Sequence, residues 1–242
     1  MRVAGIVLDL DDTIFDTTGL MLPWADRRAV TAMRAAGLRL GEEAALSRIA
    51  ELRRAGVARY WDALAKEQGV DAACVAACES AWFDYDPPPM ELEPAVARAL
   101  DELAAIAPLV LFTQGHPRTQ RMKAERLGLP ARFADMRFID FRGPVGKTET
   151  LASILADHRW PAEDVVVAGD RPDNDVRAAN RNGCRAVLVR RSGGEFADVA
   201  PASPDDVPWR TITSLADLPA LLTAEGIHRR DAETQRRQDK EG

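Results

Sequence analysis

Cysteine is scarce in this sequence, with three residues in 242. So few cysteines form no disulfide framework, and we do not expect disulfides to hold the fold together. Cys74 and Cys78 are one helical turn apart in an alanine-rich segment, with no histidine beside them. We therefore expect them to pack as small apolar side chains and not to bind a metal.

Long apolar runs and dense basic stretches are also missing. The longest apolar run near the start, Val3 to Leu8, is far too short to span a bilayer, and it lacks the basic lead and small-residue cleavage site of a signal peptide. The net charge is −6, and no dense Lys/Arg stripe precedes the charged tail. We therefore expect a cytoplasmic protein that binds neither nucleic acid nor a membrane.

A glycine-rich turn is absent after that first apolar run. Nothing there can cradle a pyrophosphate, which argues against a dinucleotide-binding domain. The run ends instead in four carboxylates within eight residues, which are Asp9, Asp11, Asp12 and Asp16. So much negative charge after an apparent buried strand requires a chemical explanation.

Apolar residues make up 46% of the chain and recur in short unbroken runs, which excludes a long disordered protein. Unbroken runs are typical of strands covered on both faces in parallel sheets. The runs lie at 3–8, 108–112, 137–139, 164–169, 186–189 and 209–212. Helical segments are predicted between them at 94–106, 117–127, 147–158 and 174–182. This alternation predicts an α/β fold, with a Rossmann-like parallel sheet sandwiched by helices.

Residues 17–91 interrupt the alternation with an all-helical insert. This segment contains no convincing strand, and its glycines divide it into about four helices. A proline-rich stretch at its end predicts a stiff, extended connection. We therefore predict a core domain built from residues 1–16 and 92–224, and a highly charged, disordered tail at 225–242.

Chemically capable side chains follow four of the predicted strands. Each group alone has an ordinary structural explanation, such as a turn or a helix cap. The groups are Asp9-Leu10-Asp11-Asp12-Thr13, Thr113-Gln114-Gly115, Lys147 and Gly169-Asp170-Arg171-Pro172-Asp173-Asn174-Asp175. Because ligands bind at the carboxyl ends of strands in open α/β sheets, the four groups together indicate one site.

The acids at this edge predict a metal site. Carboxylates gathered there repel one another unless a cation neutralises them. Asp9, Asp11 and Asp170 form an all-oxygen ligand set that suits Mg²⁺, a hard cation that keeps several waters and commonly bridges to phosphate. We therefore expect Mg²⁺ as the cofactor.

The order of these groups resembles the haloacid dehalogenase (HAD) superfamily of aspartate-nucleophile phosphohydrolases. The matching motifs are DLDDT, a hydroxyl residue after the second strand, a lysine, and GDxxxxD, and they cover about residues 1–16 and 92–222. Many members carry a helical cap directly after the first motif, where this chain has its helical insert. The resemblance implies a phosphatase for a small phosphorylated metabolite, which we expect to act as a monomer or homodimer.

The resemblance assigns the two catalytic acids. Asp9 aligns with the nucleophile that forms an aspartyl-phosphate. Asp11 aligns with the general acid/base, and its backbone carbonyl is expected to contact the metal. Because crowding beside Asp9 raises the pKa of one partner, we expect Asp11 to be protonated at the start of the reaction.

The resemblance also assigns the phosphate-binding residues. Thr113 would bind a phosphoryl oxygen through its hydroxyl, aided by the backbone N–H groups of Gln114 and Gly115. Lys147 would place a positive charge beside Asp9 and the transferring phosphoryl group. Thr113 and Lys147 are therefore expected to take part in catalysis.

Two acids of the fourth motif complete the expected metal set. Asp170 aligns with the side-chain ligand, and Asp175 with a second acid that holds a metal-bound water or orients Lys147. The family's spacing of five residues favours Asp175 over Asp173.

Two positions depart from the family pattern. Thr148 follows Lys147 where members often have proline, and this leaves Lys123, inside a predicted helix, as an alternative for the motif lysine. Asp12 stands where many members have glycine, and we interpret it as a solvent-side or turn residue. Asp16 is assigned to the turn that leads into the cap.

Three alternatives concern the reaction. The presence of Asp11 argues against the dehalogenase branch, because displacing a halide needs no acid for the leaving group. A phosphomutase shares the same four motifs and stays open as an alternative. A catalytically silent binding or regulatory protein of the same fold is the other alternative.

Overall fold

The computed structural model describes residues 3–55, 57, 60–83, 87 and 89–226. The chain divides into two compact units, one combining Met1–Phe15 with Met90–Gly242 and the other formed by Asp16–Pro89. Residues 84–86 and 88 of the predicted proline-rich connection lie outside the described residues. So does the predicted disordered tail from residue 227 onward.

The first unit contains a six-stranded parallel sheet. Its strands are β1 (Gly5–Leu8), β2 (Leu109–Gly115), β3 (Asp135–Asp140), β4 (Val165–Gly169), β5 (Arg185–Val189) and β6 (Arg210–Ile212). The spatial order is β3-β2-β1-β4-β5-β6, and every neighbouring pair is parallel. This arrangement confirms the predicted α/β fold, and it places β1 between β2 and β4.

Nine α-helices are present in the described residues. The helices are α1 (Leu22–Ala35), α2 (Glu42–Arg54), α3 (Tyr60–Gln68), α4 (Ala72–Phe83), α5 (Pro94–Ile106), α6 (Pro117–Arg126), α7 (Lys147–His158), α8 (Arg177–Arg181) and α9 (Leu218–Ala224). The first four belong to the second unit, and the other five alternate with the strands of the sheet.

Burial of the sheet explains its unbroken apolar runs. Every residue of β1 and of β4 is buried. Val7 and Val167 share one core cluster with Ile154 of α7 and Val176. A strand covered on both faces has no solvent-facing position that would favour a polar residue, so its sequence shows no alternation.

Strand register brings the polar groups to one edge of the sheet. Leu8 is paired with Leu111 of β2 and with Ala168 of β4. The backbone N–H of Asp9 donates to the carbonyl of Ala168 at 2.9 Å, which keeps the end of β1 tied to β4. Asp9 therefore lies level with the carboxyl ends of both neighbouring strands.

Two predicted boundaries differ from the structure. β2 continues through Gly115 because its pairing with β3 extends to Asp140, although the apolar run ends at Phe112. The predicted helix at 174–182 is shorter, because a π-helical turn at Pro172–Val176 precedes α8.

The second unit is helical and has a hydrophobic core of its own. Met33, Ile49 and Leu64 pack at its centre. Cys74 and Cys78 are fully buried in the same cluster, which confirms that they pack as small apolar side chains. In the part of the chain that the structure describes, no helix has the length and apolar character needed to cross a membrane.

A largely buried ion pair joins two helices of this unit, with side-chain exposures of 13% for Arg53 and 11% for Asp26. The guanidinium of Arg53 on α2 donates to both carboxylate oxygens of Asp26 on α1, at 2.7 and 3.1 Å. Arg53 also lies 4.9 Å from the centre of the Tyr60 ring and 5.9 Å from that of Trp82. Burial raises the pKa of Asp26, and the hydrogen bond from Arg53 opposes that shift. The charge on Asp26 therefore depends on Arg53.

We predict that Arg53→Met destabilises the helical unit by about 3 kcal/mol, because it leaves the Asp26 carboxylate buried without its partner. Chemical denaturation should measure the loss, and hydrogen exchange should place it in α1 and α2. The matched control is Arg54→Met, which removes from the same helix an exposed arginine that donates to the backbone carbonyl of Ala50, and it should change stability little.

The double variant Asp26→Leu/Arg53→Met should recover at least half of the loss, because an apolar pair of similar volume removes the desolvation penalty. Equal stability of Arg53→Met and wild type would contradict this account of the ion pair.

Candidate active site

The candidate site lies at the carboxyl edge of the central strands. Asp9 follows β1, Thr113 lies in β2 near its carboxyl end, and Asp170 follows β4. All three are buried. Side chains that are distant in sequence meet here because parallel strands end at the same edge of a sheet.

Lys147 is the buried cation of the site. It is the first residue of α7, and its side chain is 3% exposed. Its Nζ donates to Oδ1 of Asp9 at 2.5 Å and also contacts Oδ1 of Asp175. The same Nζ lies 4.5 Å from the centre of the Phe112 ring. Although burial disfavours its charge, Asp175 and Asp9 raise the pKa of Lys147 above its ordinary value, so the ammonium stays charged.

Three carboxylates form a possible metal site. One oxygen from each of Asp9, Asp170 and Asp175 lies within 4.8 Å of the others, and all three residues are buried. Burial raises the pKa of Asp9 to about 7, and Asp175 and Asp11 add to the rise while Lys147 opposes it. Burial, Asp175 and Asp9 likewise raise the pKa of Asp170.

This donor set fits a hard divalent cation. One lysine cannot neutralise three clustered acids, and burial together with the repulsion among the acids raises the pKa values of Asp9 and Asp170. Carboxylate oxygens at this separation match the preference of Mg²⁺ for a few acidic ligands with water in the other positions. The residues that could hold the ion are therefore Asp9, Asp170 and Asp175.

Asp175 connects the three-acid cluster to its loop. Its Oδ2 accepts a hydrogen bond from the backbone N–H of Arg171 at 2.9 Å, while its Oδ1 faces Lys147. Gly169 makes room for it, because a Cβ at that position would lie 2.2 Å from Cγ of Asp175. Asp173 instead pairs with Arg171 at 3.0 Å and lies outside the cluster.

Thr113 and Gln114 have side-chain partners within the site. Oγ1 of Thr113 accepts a hydrogen bond from Nε2 of Gln120 at 2.6 Å. Oε1 of Gln114 accepts from Nδ2 of Asn174 at 2.9 Å. Gln114 and Gly115 both lie in β2, where the backbone is part of the sheet. The structure thus places Thr113, Gln114 and Gly115 at the carboxyl edge, together with Lys147, the fourth expected phosphate-binding residue.

Asp11 faces a second lysine. Its Oδ1 accepts from Nζ of Lys123 at 2.5 Å, and its Oδ2 accepts from Nε2 of Gln120 at 2.7 Å. Its carboxylate is not part of the three-acid cluster. An ammonium partner favours an ionised acid, whereas crowding in the sequence led us to expect a protonated one.

The two lysines therefore occupy different places. Lys147 contacts the expected nucleophile, and Lys123 contacts the expected acid/base. Gln120 was not anticipated from the sequence. The signal available for it is spacing alone, because Gln120 and Lys123 are three residues apart and share one face of α6.

Asp12 and Asp16 both accept hydrogen bonds from backbone N–H groups and lie outside the three-acid cluster. Asp12 has a positive φ of 55°, which fits the turn that we expected. The solvent-side interpretation is wrong, because Asp12 is 3% exposed and accepts a hydrogen bond from the backbone N–H of Glu195 at 3.2 Å. Asp16 accepts from the backbone N–H of Gly19 at 2.7 Å, as a turn residue does.

Comparisons with known proteins agree with this geometry. The HAD-hydrolase-like family model matches residues 145–218. Glyceraldehyde 3-phosphate phosphatase of Methanopyrus kandleri is 31% identical over 222 residues, which cover 85% of this chain and 91% of that protein. N-acylneuraminate-9-phosphatase of Rattus norvegicus is 28% identical, with 91% and 94% covered.

A solved structure gives the same fold. The HAD-hydrolase YfnB of Bacillus subtilis, determined bound to magnesium, superposes with a TM-score of 0.67 at 18% identity. The match covers 92% of this chain and 99% of that chain. At this level of identity the likeness concerns the fold.

We predict that Gly169→Ala weakens Mg²⁺ binding by about tenfold or more, because the new Cβ must displace Asp175 from Lys147 and from the three-acid cluster. Isothermal titration calorimetry with MgCl₂ measures the affinity.

Gly41→Ala is the matched control, because nothing lies within 4 Å of the position of its Cβ and its φ is −61°. Unchanged Mg²⁺ affinity in Gly169→Ala would contradict the assignment of Asp175 to the metal site.

Proposed function

Because the chain belongs to the HAD-like hydrolase superfamily, we propose that it is a Mg²⁺-dependent phosphatase that hydrolyses a small phosphorylated metabolite through an aspartyl-phosphate. The observation that carries the proposal is the contact of Lys147 with both Asp9 and Asp175, beside Asp170. A nucleophile, a fixed cation and a metal-ligand set then lie at one edge of the sheet.

Asp9 is the nucleophile in this proposal. Lys147 binds its Oδ1 and so restricts the rotation of the carboxylate. The other oxygen can then be directed at phosphorus in line with the leaving group, and holding reactants in this geometry lowers the barrier. Bound Mg²⁺ would neutralise part of the charge on the acids and on the phosphoryl oxygens.

Thr113 and Lys147 stabilise the transferring group. Gln120 donates to Oγ1 of Thr113, so the hydroxyl proton of Thr113 is not used in that bond and can be donated to a phosphoryl oxygen. The ammonium of Lys147 is fixed before the substrate arrives, and a preorganised charge needs no rearrangement during the reaction. The backbone N–H groups of Gln114 and Gly115 are proposed to add further donors.

Asp11 serves both halves of the reaction. With the anionic substrate beside it, Asp11 takes up a proton from solvent, since a nearby negative charge disfavours its ionised form. It gives that proton to the alkoxide as the bond between oxygen and phosphorus breaks, and it then takes a proton from the water that attacks the aspartyl-phosphate. The pairing of Asp11 with Lys123 and Gln120 supports the second role directly, because the ionised carboxylate is the form that accepts a proton.

Glyceraldehyde 3-phosphate is the first substrate to test. Two relatives named glyceraldehyde 3-phosphate phosphatase match most of this chain, and another relative is named N-acylneuraminate-9-phosphatase. The proposal is therefore a phosphomonoester of a small metabolite, with a three-carbon phosphate first. A cytoplasmic location and a monomeric or homodimeric state are predictions from the sequence.

We expect Mg²⁺-dependent phosphate release from at least one member of a panel of short hydroxy-acid, sugar and nucleotide phosphates, and none after chelation with EDTA. Asp9→Asn should lower kcat by about 10³-fold or more, because it removes the nucleophile. Asp173→Asn, an acid of the same loop outside the cluster, should stay within about threefold of wild type.

Two results would overturn the proposal. One is equal phosphate release by wild type and Asp9→Asn. The other is an absence of Mg²⁺-dependent release from every substrate. Conversion of a sugar phosphate into its isomer without phosphate release would instead identify the phosphomutase alternative.

A further inference from the structure

Gln120 and Lys123 form a pair of donors on one face of α6. The two residues are 2% and 3% exposed. Nζ of Lys123 donates to one carboxylate oxygen of Asp11 and Nε2 of Gln120 donates to the other. Both oxygens of Asp11 are thus bound by side chains from a single helix, and we refer to this pair as the Gln120–Lys123 clamp.

The clamp also reaches the phosphate-binding residue. Nε2 of Gln120 donates to Oγ1 of Thr113 at 2.6 Å as well as to Asp11 at 2.7 Å. The amide orientation follows from chemistry, because an amide oxygen facing the Asp11 carboxylate would be repelled. One side chain therefore sets the distance between Asp11 and Thr113.

Burial within the ion pair is unequal. The side chain of Lys123 is 4% exposed, whereas that of Asp11 is 31% exposed. Here a fixed cation inside the protein holds an acid that faces outward, as a residue that must meet a substrate requires.

We propose that Gln120 and Lys123 are positioning residues for Asp11 and Thr113, a role that rests on the proposed phosphatase function. When the bond between Asp9 and phosphorus forms and the ester bond breaks, the Asp11 proton must reach the departing oxygen. The clamp sets the rotamer from which that transfer occurs. A misplacement of about 1 Å costs about 10²-fold in rate.

The test compares two leaving groups. An alkoxide needs a proton as it leaves, whereas 4-nitrophenolate leaves without one, so only alkyl substrates depend on a positioned acid. The measurement is kcat/KM for 4-nitrophenyl phosphate and for the alkyl phosphate that wild type hydrolyses fastest. For each substrate, kcat/KM reports the steps up to the first irreversible one, which is formation of the aspartyl-phosphate and not its hydrolysis.

Lys123→Met should lower kcat/KM about 30-fold on the alkyl phosphate and less than about threefold on the aryl phosphate. Asp11→Asn should show the same selectivity with a larger alkyl loss. Lys123→Arg should restore most of the alkyl activity, because it keeps a cationic donor.

Gln120→Leu provides a second, independent variant. It should repeat the alkyl-selective loss and also raise KM for both substrates about fivefold, because Thr113 loses its partner too. Arg121→Met removes an exposed charge from the same helix and is the matched control, with both substrates unchanged. Thermal unfolding of each variant checks that it is folded.

Each contrary result has a distinct meaning. Equal losses on both substrates, or no loss, in folded Lys123→Met and Gln120→Leu would overturn the positioning role and leave the phosphatase intact. An alkyl-selective loss in Asp11→Asn that neither Lys123→Met nor Gln120→Leu shows would also overturn the positioning role and leave the phosphatase intact. A wild type inactive on both substrates would overturn the phosphatase function and the positioning role with it.

Discussion

The repulsion among buried carboxylates is the constraint on which this site depends. Asp9, Asp170 and Asp175 are held within a few ångströms of one another, and burial makes each charge more costly. Lys147 offsets part of that cost through its contacts with Asp9 and Asp175. In the proposed function, the remaining negative charge would bind Mg²⁺, and the bound ion would let an anionic substrate approach the acids.

Much of the site follows from the sequence because its residues lie where strands end. Asp9, Thr113 and Asp170 come directly after apolar runs, and parallel strands bring such positions to a common edge. Asp175 lies on the turn that follows β4. Lys147 could be placed from the sequence because it begins a predicted helix. The sequence analysis assigned Lys147 to the site beside Asp9 and kept Lys123 as an alternative, because Thr148 follows Lys147 where members often have proline. The structure shows that Lys147 is the lysine that contacts Asp9.

Other features depend on packing that no local pattern records. Periodicity places Gln120 and Lys123 on a helix, but the rotation of α6 against the sheet decides which face meets Asp11. A lysine in a helix is usually solvated, so its burial was not predictable. Asp12 is covered by a segment near Glu195, far along the chain, and this contact is invisible in the sequence around Asp12. The end of β2 was set by its pairing with β3, which apolar composition does not report.

The central position of β1 has a consequence for folding. Its Val7 is paired with Val110 on one side and with Val167 on the other, so the strand cannot be covered until much later parts of the chain are present. Sheets that rely on such distant pairings form slowly, because loop closure precedes the contacts that reward it. The helices of Asp16–Pro89, by contrast, bury a core made from neighbouring segments. During synthesis β1 is therefore made well before the strands that cover it, which exposes an apolar strand to aggregation, whereas the core of the helical unit is complete earlier in the chain.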